Sequence, residues 1–160
     1  MDEDIKTFND HQKAKYLDKI KHYCAYRDRC HKEVIDKLFK MNVPSDMADE
    51  IISELVTEGF LNEERFVLAY VRGKFRMNKW GKNKIKLELK QKEISNYLIK
   101  LGMKEIDDND YYKTLSNLLI AKRNTFKAKN QYDLFNKLYG YAYRKGYESE
   151  LIKNVIEDIV

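Results

Sequence analysis

Proline occurs once in 160 residues, at Pro44, and glycine only six times. So few backbone breakers, beside 43% hydrophobic and 36% charged residues, favour helices with solvated faces. The glycines, at 59, 73, 81, 102, 140 and 146, stand singly, which excludes a Gly-rich loop able to cradle a phosphate. Cysteine is limited to Cys24 and Cys30. The opening stretch MDEDIKTFNDHQK has neither a basic head nor an apolar run, so these two are expected to be free thiols of a cytoplasmic protein. Nowhere does an apolar run approach the roughly 20 residues that cross a bilayer, which excludes a membrane-spanning helix.

Catalytic material is equally thin. His22, Cys24, Cys30 and His31 form the one cluster of metal-binding side chains, and it lacks a C-x-x-C or H-x-x-x-H spacing. On a helix, positions 22 and 24 diverge by about 200° of rotation. Cys24 is expected in the core and Cys30 at a boundary. Asp107, Asp108 and Asp110 gather acids ahead of Tyr111, where they suit the start of a helix. No nucleophile and base are placed together, so the chain is not read as an enzyme, and no cofactor or metal is expected. Tyr132, Tyr139, Tyr141, Tyr143 and Tyr147 are read mainly as core and rim.

Apolar residues recur at helical spacing along almost the whole chain, while alternating strand patterns are scarce. Breaks fall at residues 42–45, 59–62, near 81, 93–95, 106–110 and 146–149, giving about nine helices. The pattern repeats itself. Val34, Leu38, Val43, Met47 and Ala48 align with Ile85, Leu89, Ile94, Leu98 and Ile99, and again with Leu138, Ala142, Tyr147, Leu151 and Ile152. First members lie 51 and 53 residues apart, and Ile52, Met103 and Ile156 extend the match. Ser45, Ser95 and Ser149 are expected to cap the third helix of each copy. Long first helices are expected over residues 12–26, 63–77 and 110–123. The fold expected is all-α: an elongated array of three tandem three-helix repeats of about 50 residues, over residues 1–60, 61–108 and 109–160.

The second copy opens with GFLNEERFVLAYVR. Gly59 suits a left-handed helix end, and Asn62 an N-cap ahead of Glu63 and Glu64. Ala69 and Gly73 are small enough to let another helix come close. Downstream, RGKFRMNKWGKNKIKLELKQK sets nine basic residues against the single acid Glu88, although the whole chain carries only +5. The remainder is therefore slightly acidic. With Gly81 as N-cap, Trp80 and Ile85 have the spacing of a hydrophobic staple. The rival reading of Trp80 is a stacking platform for bases, but Ile85 gives it a specific structural partner. Ile85 and Leu89 are expected to face inward, helped by Leu87 or Glu88, with Lys82, Lys84, Lys86 and Lys90 outward. Arg72 and Arg76 add a second basic row. This concentration points to an acidic partner, either phosphate backbone or an acidic protein surface.

Together with YAYRKGYESELIKNVI near the end, these segments resemble the RecX family, regulators of the bacterial recombinase RecA. Cys30 stands where that family often has a capping serine, Lys82 where proline often follows the glycine, and Glu93 where glycine is usual. The resemblance implies three tandem three-helix repeats and a monomer acting in recombination, DNA repair and the SOS response. It also implies binding in the groove of the RecA filament on single-stranded DNA, hindering filament extension, ATP hydrolysis and strand exchange. Contact candidates carried over are Arg65, Arg72, Arg76, Lys79, Lys82, Lys84, Lys86, Arg144 and Lys145. Arg144 and Lys145 equally suit the C-terminus of the helix before Gly146. The alternative is a helical protein that binds single- or double-stranded DNA without sequence preference.

Overall fold

The computed structural model describes residues 1–160, and every regular element in it is a helix. There are nine: α1 (Asp2–Tyr26), α2 (His31–Lys40), α3 (Ser45–Thr57), α4 (Glu63–Arg76), α5 (Lys82–Gln91), α6 (Asn96–Met103), α7 (Asp108–Arg123), α8 (Gln131–Lys145) and α9 (Ser149–Ile159). They group in threes, as the spacing predicted.

The repeat is written most clearly where the middle helix of each copy ends. Asn42, Glu93 and Gly146 all take the left-handed conformation, with φ of 59°, 60° and 100°. The amides that follow, of Val43, Ile94 and Tyr147, reach back to the carbonyls of Leu38, Leu89 and Ala142, each at 3.1 Å. This is the 6→1 bond of a Schellman end. A residue other than glycine pays about 1–2 kcal/mol for such a backbone. Glu93 nevertheless adopts it, so the turn forms there without a glycine.

Two expectations about local structure are corrected. Ser95 alone caps as foreseen, accepting from the Leu98 amide at 3.3 Å. Pro44 takes the cap position of α3 and Glu148 that of α9, which moves Ser45 and Ser149 into the first turn. The Ser149 hydroxyl instead pairs with the Tyr139 hydroxyl at 2.7 Å. The second correction concerns small residues. A Cβ added to Gly73 would meet nothing within 4 Å, and Ala69 is exposed, so no helix approaches there.

Two compact units are present, residues 1–67 and 68–160, and the boundary falls within α4. In the first, Ile20 and Cys24 of α1 pack with Val34, Leu38, Ile51, Leu55 and Leu61. Cys24 and Cys30 are both buried free thiols. Arg29 is buried too; its guanidinium lies 3.7 Å from the centroid of the Tyr23 ring, and its Nε donates to the Tyr23 carbonyl. Gly59 takes φ 78°, and the Asn62 side chain accepts from the Arg65 amide at 2.9 Å, both as the sequence predicted. Helix α1 starts ten residues before the apolar period does. Its first turn holds Asp2, Glu3 and Asp4, which suit the dipole, but residues 1–11 are exposed throughout and so carry no burial pattern.

In the second unit the buried residues are Val71, Phe75, Ile85, Leu89, Ile94, Ile99 and Ile106, then Tyr111, Leu115, Leu119, Leu138, Ala142, Tyr147, Ile152, Val155 and Ile156. Three aromatic rings connect its two repeats. Tyr111 stacks on Tyr147 at 5.0 Å between centroids and meets Phe75 at 5.9 Å.

Candidate functional site

The basic helix α5 begins in an unusual electrostatic position. Its first turn contains no acid, and Lys82 and Lys84 stand where the helix dipole disfavours positive charge. The compensation comes from the last repeat. The Gly81 amide donates to the Lys145 carbonyl at 2.8 Å, and the Asn83 amide to the Gly146 carbonyl at 2.9 Å. Between them, the Lys82 amide donates to the Tyr111 hydroxyl at 2.8 Å. Three successive amides at the positive end of α5 are thus satisfied by groups of the third repeat, two of them carbonyls at the negative end of α8.

Glycine permits this contact. A Cβ on Gly81 would lie 2.2 Å from the Gly146 carbonyl carbon, and one on Gly146 would lie 2.3 Å from the Lys84 Cβ. The tyrosines complete the joint. Tyr147 donates to the Lys79 carbonyl at 2.8 Å, and Tyr111 donates to the Glu148 carboxylate. Burial holds both phenols well above their ordinary range, and for Tyr111 the Glu148 bond adds to that effect.

Around this joint the cations are held by rings and carbonyls more than by acids. The Lys74 and Lys84 ammonium groups lie 4.7 and 4.4 Å from the centroid of the Trp80 ring. Half-buried Trp80 therefore holds lysines, and a stacked base would have to compete with them. Lys122 sits 4.9 Å from the Tyr141 centroid. The Lys145 ammonium donates to the Asn78 carbonyl at 3.0 Å, beyond the end of α4 and not at the end of its own helix. Burial lowers its pKa, and the neighbouring charges of Lys84 and Lys122 lower it further. Three ammonium groups therefore share one region of positive potential.

Between α5 and α8 runs an open groove of about 300 Å³, lined by Asn83, Lys84, Leu87, Glu88, Tyr143, Arg144 and Gly146. Leu87 and Tyr143 are 56% and 58% exposed. Leu87 thus faces out, and of the two residues expected to flank Ile85 and Leu89 at the margin it is Glu88 that is half-buried. The groove combines exposed apolar residues with the cationic side chains of Lys84 and Arg144 and the one carboxylate of Glu88.

Of the nine candidate contact residues, three are engaged by carboxylates. Arg65 belongs to the first unit and is tied down there, its Nε on Asp28 at 2.6 Å and its guanidinium on the Gly59 carbonyl at 3.0 Å. Arg72 pairs with Glu105 at 3.0 Å, and Lys82 with Asp108 at 3.5 Å, its ammonium also 4.7 Å from the Tyr111 centroid. The Lys79 ammonium turns back onto the Arg76 carbonyl at 2.8 Å. Arg76, Lys84, Lys86 and Arg144 form no ion pair, which leaves their charge for a partner. Sequence reasoning missed Lys74, although it lies in the basic run, and Lys122, whose place beside Lys145 no local signal announces.

Models of a known family match three successive segments. They are described as the first three-helix domain of RecX over residues 18–55, the second over 62–103 and the third over 109–156. Among curated relatives, the regulatory protein RecX of Bacillus cereus (strain B4264) is 25% identical over 152 residues, and that of Bacillus cytotoxicus is 24% identical over 152. Each alignment takes in 95% of this chain and 56% of the relative, so the chain spans little more than half the length of these proteins. The solved structure of RecX from Lactobacillus salivarius superposes with a TM-score of 0.82 at 24% identity, over 92% of this chain and 97% of that one. A second, titled regulatory protein RecX, gives 0.83 at 18% identity, over 91% and 73%. The two structures establish the fold.

Proposed function

Because the chain belongs to the RecX family, we propose that it regulates the RecA recombinase by binding in the groove of its filament on single-stranded DNA. Bound there, it restrains filament extension, ATP hydrolysis and strand exchange in recombination and DNA repair. The observation that supports this reading is that Arg76 at the end of α4, Lys84 and Lys86 on α5 and Arg144 on α8 are all left without carboxylate partners, Lys84 and Arg144 together lining the α5–α8 groove. The chain acts as a binding protein, with repeats taken as residues 1–60, 61–108 and 109–160 engaging adjacent protomers. Binding shifts an equilibrium only by its differential affinity for the two states, so the repeats must fit one filament arrangement better than another.

The test is charge reversal at Arg76, Lys84 and Lys86 together, sparing Lys82 because it is committed to Asp108 and Tyr111. Inhibition of RecA-driven ATP hydrolysis is expected to weaken about tenfold or more while helicity by circular dichroism stays unchanged. Full inhibition by the folded triple variant would contradict the assignment.

A second reading is favoured by the convergence of Lys84, Lys122 and Lys145, the first of them over the Trp80 ring: direct binding of nucleic acid through phosphates. It requires affinity for naked single strands that falls steeply with salt. Comparing naked with RecA-coated strands separates the two, and preference for the naked strand would establish the second.

A further inference from the structure

The groove between α5 and α8 has a complement elsewhere in the same sequence. Residues 1–11 of α1 are helical yet exposed throughout, and they lie outside the three segments matched by the family models. They are not uniformly polar. Ile5 and Phe8, three residues apart and so on one face, are 54% and 63% exposed. At about 100° of rotation per residue, Asp2 and Asp4 flank that face on either side. The first ten residues hold four carboxylates, those of Asp2, Glu3, Asp4 and Asp10, against Lys6 and the N-terminal ammonium, which lies 4.0 Å from Asp4. An apolar stripe between acids has thus been built at a helix end where nothing in the first unit covers it.

The groove complements this arrangement in part, two cations against the single acid Glu88 in its lining. Leu87 and Tyr143 form exposed apolar ground, and Lys84 and Arg144 stand beside it with no ion pair of their own. We propose that the acidic first turns of α1 in one copy of the chain dock into the α5–α8 groove of a second copy. Ile5 and Phe8 lie on Leu87 and Tyr143, and Asp2 and Asp4 face Lys84 and Arg144. Exchange in both directions closes a two-fold dimer. One helix end in one small groove makes a limited interface, so association is weak and concentration-dependent. The dimer hides Lys84 and Arg144, which places self-association in competition with any acidic partner of the same surface. The proposal stands whichever partner that surface takes.

The experiment uses the full chain in a concentration series by sedimentation velocity. The wild type is expected to show a reversible monomer–dimer equilibrium weakened by salt. The double change Ile5→Ser with Phe8→Ser is expected to reduce the dimer fraction at least fivefold; both side chains are exposed, so the fold is retained. Lys84→Glu with Arg144→Glu should do the same, and mixing that variant with Asp2→Lys/Asp4→Lys should restore heterodimers. A photo-crosslinking residue at position 8, in a mixture of isotopically labelled and unlabelled chains, should join peptides of different labels at the α5–α8 groove. A wild type that stays monomeric, a dimer indifferent to these changes, or cross-links confined to one label would each overturn the proposal. Inhibition of RecA by the Ile5/Phe8 variant should be undiminished, so this test and that of the filament reading fail separately.

Discussion

Replacing Gly81 by alanine should separate α5 from α8 and cost the second unit much of its stability. At Gly81 φ is −76°, which alanine adopts without strain, so the substitution tests the contact alone. Its Cβ would stand 2.2 Å from the Gly146 carbonyl carbon and 2.3 Å from both the Gly146 oxygen and the Tyr147 nitrogen. These are backbone atoms at a helix end and cannot swing aside. Relief requires the two helix ends to part by about 1 Å, which takes the Gly81–Lys145 and Asn83–Gly146 bonds from 2.8 and 2.9 Å beyond useful range. Overpacking costs about 1–3 kcal/mol. Each lost backbone bond adds about 0.5–1.5 kcal/mol, so about 4 kcal/mol in all is expected. That is a large fraction of the 5–15 kcal/mol typical of a domain. Gly73→Ala is the internal control: it lies within α4, its added Cβ meets open space, and it should stabilise by about 0.5–1 kcal/mol. Urea unfolding followed by the fluorescence of Trp80, the only tryptophan, reports on the second unit directly. A Gly81→Ala cost below about 1 kcal/mol with native helicity would refute the backbone-joint account.

Three further outcomes follow from the same geometry. Tyr111→Phe leaves the Lys82 amide and the Glu148 carboxylate each short of a partner and should cost about 1–3 kcal/mol in urea unfolding, whereas Tyr112→Phe, whose hydroxyl bonds exposed Asp158, should leave the unfolding midpoint nearly unchanged. Asp133 accepts from the Lys129 amide at 3.0 Å and pairs with Lys137 at 3.3 Å, the amide chiefly holding its carboxyl below the usual range. Its contribution is therefore present above its unfolded value near 3.8 and lost as pH falls through the folded one. Asp133→Asn should remove that part of the acid limb in a pH series of unfolding midpoints. The Arg76/Lys84/Lys86 reversal should also flatten the salt dependence of partner binding, read as the slope of affinity against salt concentration.

What the sequence could show, it showed through local signals. Gly59, Asn62 and Asp107 were legible as helix ends because their conformations depend on residues within one turn. The repeat was legible because Val34, Ile85 and Leu138 recur at nearly equal spacings, 51 and 53 residues, and burial of a helix face leaves that periodic trace. Where no face is buried, as in residues 1–11, the trace was missing and the helix went unread. Two of the three serine caps failed for a related reason: a one-residue shift of the start hands the cap position to Pro44 or Glu148.

The sequence by itself thus determined that this protein is helical, threefold repeated and basic around α5, since each of these depends on neighbours a few residues apart. Only the tertiary structure decided which charges remain available. Arg65, Arg72 and Lys82 are claimed by Asp28, Glu105 and Asp108, and Lys122 joins Lys84 and Lys145. It also decided that Gly81 and Gly146, not Gly73, are the points of closest approach. Those outcomes depend on which helix ends meet across long stretches of chain, and packing complementarity at that range leaves no periodic mark in the residues themselves.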